Sequence, residues 1–234
     1  MLNLPKLLPA ALALTLGSSL VSGQVLLAFW DFNDDDRPNS GGANESFDPD
    51  GGEQAASANL LFNSGDSASG NAFQITDNGT TLNDVFNDPP AAGNAVQLGH
   101  GARWNNGTMT ISFDATSVSD PLGLSFAANL IDSNGPPNFQ ASYSLDGGES
   151  YDDLGGVESF PSGWDIVTID FGTVLSGAAE ASVRLTFSGA SQVWSTGHAV
   201  RLDNIALTAI PEPRVYAALF GLLALGFVVW RRRR

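Results

Sequence analysis

The sequence predicts an all-β protein, an antiparallel β-sandwich of the jelly-roll type, and three observations support this fold class. Short runs alternate apolar and polar residues, as Met109, Ile111 and Phe113 do against threonine and serine. A two-residue period is typical of half-buried strands. Glycine, asparagine, serine and aspartate separate these runs, and no stretch of residues 24–210 has the period of an amphipathic helix. Many short strands with frequent turns favour two packed sheets.

Alternating runs of this kind mark roughly nine strands in the body of the chain. The predicted strands are residues 25–32, 73–76, 95–98, 108–113, 122–130, 139–145, 166–171, 182–187 and 200–208. Residues 33–71 are predicted as long loops rich in Asp, Asn, Gly and Ser, with 60–62 as a candidate short strand. Residues 77–93 form a second predicted loop, and loops of this length in a compact domain are usually functional or mobile.

The first 23 residues have the organisation of a secretory signal peptide. Lys6 supplies a positive charge, an apolar stretch covers residues 7–20, and the small residues Ser22 and Gly23 precede Gln24. This pattern predicts export and cleavage before Gln24. An uncleaved membrane anchor is the alternative, since glycine is a less typical cleavage residue than alanine.

Residues 211–234 combine three features in order. Pro211, Glu212 and Pro213 come first, an apolar run covers residues 215–230, and Arg231, Arg232, Arg233 and Arg234 follow. The run of 16 residues is just below the ~17 to 25 that a membrane-spanning helix needs. The arginines favour the cytoplasmic side of a membrane, so the body is expected on the opposite side.

This order of features resembles the PEP-CTERM sorting signal of Gram-negative bacteria. The resemblance implies that an exosortase recognises Pro211, Glu212 and Pro213. It also implies that a single helix holds the exported chain in the inner membrane before the body reaches the cell surface or extracellular matrix. A plain C-terminal anchor without processing is the alternative. The predicted domains are therefore a signal peptide (1–23), one β-sandwich (24–210) and a sorting signal (211–234).

The predicted body is strongly acidic and has no cysteine. Of the chain's 10 basic and 25 acidic residues, four basic and 24 acidic residues lie in 24–210, which leaves a formal charge of −20 there. Such a surface repels nucleic acid and attracts cations, so no nucleic-acid partner is expected. Disulfides are excluded, and stability outside the cytoplasm must come from the core and from any bound metal.

The body offers few groups for catalysis. Its histidines, His100 and His198, are far apart and lie in glycine-containing turns. No nucleophile motif is present, and the adjacent Asp152 and Asp153 would face opposite sides of a strand. Two carboxylates from different strands can serve a glycosidase, but we expect no enzymatic activity.

Residues 144–151 match the Asp-box pattern S-x-D-x-G-x-S-aromatic. The pattern resembles hairpins of sialidase propellers and of many other β proteins, yet it occurs once here, whereas propellers repeat it in each blade. Asp146 can accept hydrogen bonds from its own turn, and Gly147 and Gly148 can adopt positive φ. The motif therefore predicts a structural hairpin.

Two short segments resemble the first and last strands of bacterial jelly-roll domains, including carbohydrate-binding modules. They are residues 29–33, Phe-Trp-Asp-Phe-Asn, and residues 200–207, which contain Asp-Asn-Ile. In several such modules an acidic residue of the first strand and the aspartate of the last strand hold a structural calcium ion. The resemblance thus implies Asp31, Asn33 and Asp203 as ligands of Ca²⁺.

Strand alternation independently predicts the side of the strand on which each of these carboxylates lies. It places Asp203 on the face of Ile205 and Leu207, and Asp31 on the face of Leu27 and Phe29. A carboxylate in line with core residues needs a partner, either a hard cation or backbone amides. The sequence leaves both alternatives open.

Further acidic residues crowd the first predicted loop: Asp34, Asp35, Asp36, Asp48, Asp50 and Glu53. Only Asp31-x-Asn33-x-Asp35 alternates as a calcium loop does, and the sixth position of that loop lacks the glycine of an EF-hand. An EF-hand is excluded. A solvated acidic loop is the simpler interpretation, and a second cation site is the alternative.

Four aromatic residues stand beside turn residues: Trp104, Tyr151, Trp164 and Trp194. Such rings can form a platform on which a sugar stacks, but the buried aromatics of a sandwich give the same sequence pattern.

Two functional hypotheses remain, and they are compatible. The first is an exported, membrane-anchored and exosortase-processed surface or matrix protein with a non-catalytic body, as in the extracellular polysaccharide of a biofilm. The second is a calcium-dependent carbohydrate-binding module that reaches a polysaccharide partner by the same route.

Overall fold

The computed structural model describes residues 24–33, 44–65, 73–85, 92–99, 101–132, 134–191, 199–210 and Arg231. The predicted signal peptide, the sorting motif, the apolar run 215–230 and the remaining three arginines lie outside the described residues. So do His100, His198, Trp194 and residues 34–36. Within the described ranges, no helix is long and apolar enough to cross a membrane.

Twelve strands are present in the described residues, all in antiparallel pairs. They are β1 (Val25–Trp30), β2 (Asn44–Phe47), β3 (Asn59–Asn63), β4 (Phe73–Thr76), β5 (Ala95–Leu98), β6 (Thr108–Phe113), β7 (Leu122–Leu130), β8 (Asn138–Ser144), β9 (Asp152–Ser159), β10 (Asp165–Gly172), β11 (Ala181–Ser188) and β12 (Val200–Ala209). A 3-10 helix at Gly101–Trp104 precedes β6.

The strands form two six-stranded sheets. The first sheet has the order β10-β7-β12-β5-β4, with β1 also paired to β12, and the second has the order β2-β3-β6-β11-β8-β9. From β6 onward the chain mostly alternates between the sheets, an arrangement typical of a jelly roll. The prediction of an all-β antiparallel sandwich is therefore confirmed.

The strand predictions were incomplete at two places. The loop predicted for residues 33–71 contains β2 as well as β3, and the stretch after the Asp-box forms β9. Both missed strands lie at the edges of the second sheet, and β9 is exposed over nearly its whole length. A strand that buries little side-chain surface has no clear alternation of apolar residues, so the period-two pattern could not reveal it.

A continuous chain of aromatic rings runs through the space between the sheets. Successive ring centres are 4.8 to 6.5 Å apart, and most neighbours meet edge to face or tilted. The chain links Phe32, Phe47, Phe62, Trp104, Phe187, Phe160, Phe139 and Phe126. Such pairs contribute about 0.5 to 1.5 kcal/mol each beyond the burial of their area, and they stabilise a body that has no disulfide.

One edge of β12 has two partners placed end to end. Residues 200–202 pair with β5, and residues 205–209 pair with β1. Since both partners run antiparallel to β12, the end of β1 meets the start of β5 opposite Asp203 and Asn204. This gap in the ladder leaves backbone groups of β12 without strand partners, and polar side chains gather there.

Candidate functional site

Asp203 lies in this gap, and backbone amides bind both of its carboxylate oxygens. Oδ2 accepts a hydrogen bond of 2.7 Å from the N–H of Thr80, and Oδ1 accepts one of 2.8 Å from the N–H of Asn204. The side chain is only 1% exposed. Backbone amides, one of the two partners that the sequence left open, are thus present.

Hydrogen bonds of Asn204 hold the loop of residues 79–84 against β12. Asn204 Nδ2 donates to the carbonyl oxygens of Thr80 at 2.7 Å and Leu82 at 2.9 Å. In return, Asn83 Nδ2 donates to the carbonyl of Asn204 at 2.6 Å. Residues 79–84 are therefore held against the outer face of the first sheet.

The backbone at this site adopts conformations that side chains rarely tolerate. Among the described residues, four other than glycine have positive φ, and three of them lie here: Phe32 at 58°, Asn83 at 59° and Asn204 at 49°. Asparagine enters the left-handed region more readily than most residues, but a bulky residue such as phenylalanine is an outlier there. Conformational strain of this kind often concentrates at functional sites.

Asp203 lies on the opposite side of the sheet from the one predicted, because the backbone of β12 is irregular at Asn204, where φ is positive. The register of β12 against β7 shifts by one residue between Asp203 and Ala206. Asp203 pairs with Ala127, which is outside the core, whereas Ile205 and Leu207 belong to it. The prediction that Asp203 shares their face is wrong, because a β-bulge inserts one residue and reverses the alternation. The loop 79–84, and not the core, buries the carboxylate.

The electrostatics of Asp203 follow from this burial. Loss of solvent raises the pKa of its carboxyl from 3.8 to about 7, against the lowering effect of the bonds from Thr80 and Asn204. The charges of Asp31 and Asp84 also raise this pKa. The structure therefore brings Asp31 and Asp84, the second of which no sequence motif marks, close enough to repel the charge of Asp203.

Asp31 and Asn33 lie just after the end of β1 and make hydrogen bonds there. Asp31 Oδ1 accepts from the N–H of Asn33 at 2.9 Å, and the N–H of Asp31 donates to Asp50 Oδ2 at 2.8 Å. Asn33 Oδ1 accepts from the N–H of Asn94, just before β5, at 2.8 Å. Asn33 thus bridges the ends of β1 and β5, and Asp50 of the acidic loop supports Asp31.

Oxygen atoms crowd the space next to Asp203. A side chain at Gly79 would begin 2.5 Å from the Gly93 carbonyl oxygen, 2.7 Å from that of Asn94 and 2.8 Å from Asp203 Oδ2. Only glycine allows this close approach. No three carboxylate or imidazole side chains in the described ranges group as a metal centre, so a cation here would also need such backbone oxygens.

The aromatic candidates separate into different environments. Trp104 is 1% exposed and packs edge to face against Phe62 and Phe187. It is a core residue and cannot offer a ring face to a sugar, so the prediction of Trp104 as a sugar-stacking residue is wrong and the alternative, a buried aromatic of the sandwich, is correct. Trp164 is half-buried just before β10, and Tyr151 is half-buried just before β9. Trp194 lies outside the described residues.

The Asp-box residues form the predicted hairpin turn between β8 and β9. Asp146 Oδ1 accepts from Ser144 Oγ at 2.6 Å and from the N–H of Ser150 at 3.0 Å, and Asp146 Oδ2 accepts from Ser150 Oγ at 2.5 Å. These bonds, that of Ser144 first, lower the pKa of Asp146. Gly148 has φ of 93°, and a side chain there would begin 2.8 Å from the Tyr151 hydroxyl.

This hairpin places Tyr151 beside β11. The guanidinium carbon of Arg184 lies 3.5 Å from the centre of the Tyr151 ring. Arg184 had not been predicted as a site residue. Its alternation with Val183 and Leu185 marked it as outward-facing, but nothing in the sequence paired it with Tyr151.

Two shallow pockets border the first sheet, one on its outer side and one where its strand β10 lies next to β9 of the second sheet. One, of about 180 Å³, is bordered by Asn83, Val85 and Ile210, and the other, of about 290 Å³, by Pro161 and Ile166. Both are smaller than the ~300 to 1,000 Å³ typical of small-molecule sites.

No protein-family model matches the chain, and no curated protein matches it. Solved structures with similar chains include the CBM22-1 xylan-binding domain from Paenibacillus barcinonensis Xyn10C. It is 12% identical, with a TM-score of 0.42, over 80% of this chain and 96% of that chain. A family 11 carbohydrate-binding module from Clostridium thermocellum is 14% identical, with a TM-score of 0.39, over 80% and 98%. The K2 cleaved adhesin domain of Lys-gingipain is 12% identical, with a TM-score of 0.38, over 80% and 98%.

Proposed function

We propose that this protein is an exported, non-catalytic β-sandwich, anchored in the inner membrane and then processed by an exosortase for the cell surface or extracellular matrix. The observation that carries the proposal is the ordered Pro-Glu-Pro motif, apolar run and arginine cluster of residues 211–234. The body supports it at the boundary, because the N–H of Ile210 still donates to the carbonyl of Pro121 at 2.7 Å. The motif therefore directly follows a hydrogen-bonded residue of the sandwich.

The processing step is tested by changing Glu212 to Ala in the native host. The variant is expected to stay in the membrane fraction at full mass, while the parent is shortened near the motif. Glu180→Ala, an exposed change within the body, serves as the control and should be processed as the parent is. Equal mass and fractionation of the parent and the Glu212 variant would reduce the tail to a plain anchor.

A non-catalytic role agrees with the surroundings of the carboxylates. Asp152 and Asp153 pair with successive residues of β8 and face opposite sides of the sheet. The oxygens of Asp203 accept bonds from backbone amides, and those of Asp146 hold a turn. Asp203 and Asp146 therefore have structural roles, and Asp152 and Asp153 are exposed on β9.

Polysaccharide binding is the second candidate function, and the outer face of the second sheet favours it. The outward residues of β2, β3 and β6 are exposed or half-buried and, except for Leu61, carry hydroxyl or amide groups. Such groups can exchange hydrogen bonds with sugar hydroxyls. Tyr151 borders this surface through its contact with Arg184.

A structural calcium ion beside Asp203 is a further part of the proposal. The charges of Asp31 and Asp84 each repel the poorly solvated Asp203 carboxylate, and a hard cation bound by oxygen ligands would offset that repulsion. Asp31, Asp203 and the backbone oxygens of Gly93 and Asn94 would hold it. The ion would join the end of β1 to β12 and supply no chemistry beyond charge neutralisation.

A further inference from the structure

Arg184 occupies a central position on the outer face of the second sheet. It pairs with Thr110 of β6 on one side and with Ser142 of β8 on the other. The Tyr151 ring lies against its guanidinium at 3.5 Å. A stacked, planar guanidinium has few remaining conformations, so its hydrogen-bond donors are held in place before any ligand arrives.

The charge of Arg184 has no anionic partner among the described residues. Its Nε is buried and makes no hydrogen bond. Arg201, which occupies the outer face of the first sheet, differs: its Nε donates to Gln97 Oε1 at 3.0 Å, and it attracts the charge of Asp77. In a body with a formal charge of −20, a guanidinium without a carboxylate partner is unexpected, because ion pairing is readily available.

The residues around Arg184 are nearly all uncharged and polar. Along the six strands, the outward positions other than Arg184, Asp153, Leu61 and Val157 are serine, threonine, asparagine or glutamine. Near the hairpin, Ser142, Ser144 and Ser182 are buried. The outward residues of β2, β3 and β6, here called the open face, remain accessible.

We infer that Arg184, braced by Tyr151, is the principal hydrogen-bond donor of a binding site for an uncharged polysaccharide on the open face. The inference rests on the proposed polysaccharide binding and names the site and the ligand class. The edge of the guanidinium donates to sugar hydroxyl and ring oxygens, and Thr110 and the neighbouring amides exchange further hydrogen bonds. Leu61, 36% exposed in the same row as Thr110, supplies an apolar contact for a sugar ring.

The charge balance selects an uncharged ligand over an acidic one. One guanidinium cannot offset the repulsion between a polyanion and a body of formal charge −20. Asp153 lies in the same row as Arg184, one strand beyond Ser142. A neutral polymer meets no such repulsion and still receives the donors of Arg184.

Affinity electrophoresis of the full chain in mild detergent tests the inference. The gels contain neutral polymers, namely xylan, galactan or mixed-linked β-glucan, or the acidic polymer alginate. At least one neutral polymer is expected to retard the parent, and alginate is not. Arg184→Gln should weaken the retardation about tenfold or more, as loss of charged hydrogen bonds predicts. The matched control, Arg201→Gln, removes the same charge from the other sheet and should bind as the parent does.

Two further variants keep the test decisive if Arg184→Gln does not fold. Arg184→Lys keeps the charge but loses the planar fork and is also expected to bind weakly. Tyr151→Ala removes the stacked ring that holds the guanidinium in place and should also weaken the retardation. Thermal denaturation establishes which variants are folded.

Each result has a distinct meaning. Equal retardation of the parent and the folded Arg184 variants would overturn the inference while leaving polysaccharide binding intact. Retardation by alginate alone would overturn the ligand class. Failure of every polymer to retard the parent would remove both the inference and the proposed polysaccharide binding.

Discussion

Asp203 accepts a hydrogen bond of 2.7 Å from the backbone N–H of Thr80, which lies 123 residues earlier in the chain. The side chain of the next residue, Asn204, donates a hydrogen bond to the carbonyl oxygen of the same Thr80. Consecutive residues of β12 therefore hold both polar backbone groups of Thr80. This clamp buries a carboxylate outside the hydrophobic core, which explains how an aspartate in a central strand can be tolerated.

The clamp depends on the left-handed backbone of Asn204. Asn204→Gly keeps that backbone accessible but leaves the carbonyls of Thr80 and Leu82 without their donor, so the free energy of unfolding should fall by roughly 1 to 3 kcal/mol. Asn204→Ala also places a Cβ at positive φ and should lose about 1 kcal/mol more. Urea denaturation measures both values. An alanine variant as stable as the glycine variant would contradict the role assigned to the bulge.

Stability without divalent metal should fall as pH rises through the titration of Asp203. The folded state keeps a proton on this carboxyl up to a pKa of about 7, whereas an unfolded aspartate releases it near 3.8. The folded state therefore binds the extra proton between pH 4 and pH 7, and its stability declines over that range by up to about 4 kcal/mol.

Urea denaturation in chelator at pH 5 and pH 7.5 measures this decline, with Asp203→Asn for comparison. The amide does not titrate, and it retains only one of the two hydrogen-bond acceptors. The variant should be less stable than the parent at pH 5, with the difference shrinking at pH 7.5. A difference that is the same at both pH values would show that Asp203 does not titrate in this range.

Calcium should offset the repulsion that Asp31 and Asp84 exert on the charge of Asp203. A ligand that binds only the folded state stabilises it by about 2.7 kcal/mol at a hundredfold excess over its Kd. Millimolar Ca²⁺ should therefore raise the Tm at pH 8 by several degrees, more than Mg²⁺, because an irregular oxygen site suits the larger ion. The rise should be smaller at pH 5, where protons compete for Asp203.

Asp203→Asn should remove most of this calcium response. Asp153→Asn, which removes an exposed carboxylate from β9 of the other sheet, is the matched control and should respond as the parent does. If Asp203→Asn keeps the full response, the ion binds elsewhere, and backbone amides alone satisfy the carboxylate.

The hairpin that presents Tyr151 should depend on the Asp146 carboxylate. Asp146→Ala removes the acceptor for Ser144 Oγ and for both polar groups of Ser150, and should lower the Tm. Because its pKa is lowered in the folded state, the stabilisation is present above pH 4 and lost as pH falls further. Glu149→Ala, next in the turn, should change the Tm little, and an equal loss would contradict the role of Asp146.

Features that depend only on residues close together in the sequence were predicted correctly. Alternation located most of the strands that bury one face, as in β6 and β11, since each residue faces the same side as the residues two positions away. The Asp-box hairpin was equally predictable, because residues 144–151 supply their own hydrogen bonds. The formal charge of the body and the absence of cysteine are properties of composition alone.

The candidate sites needed contacts that no local pattern encodes. The bulge at Asn204 reversed the facing of Asp203, because its backbone conformation is stabilised by a loop 121 to 124 residues away in sequence. Trp104 has the same turn-rich neighbourhood as a surface tryptophan, and only its packing between Phe62 and Phe187 made it a core residue.

The sequence by itself determined the fold class, the strongly acidic body and the order of features in residues 211–234. The tertiary structure alone decided that Asp31 and Asp84 lie near enough to Asp203 to raise its pKa and that Tyr151 covers Arg184. The physical reason is that alternation and turn preference depend on adjacent residues. The partner of a buried charge depends instead on which distant segments the two sheets bring together.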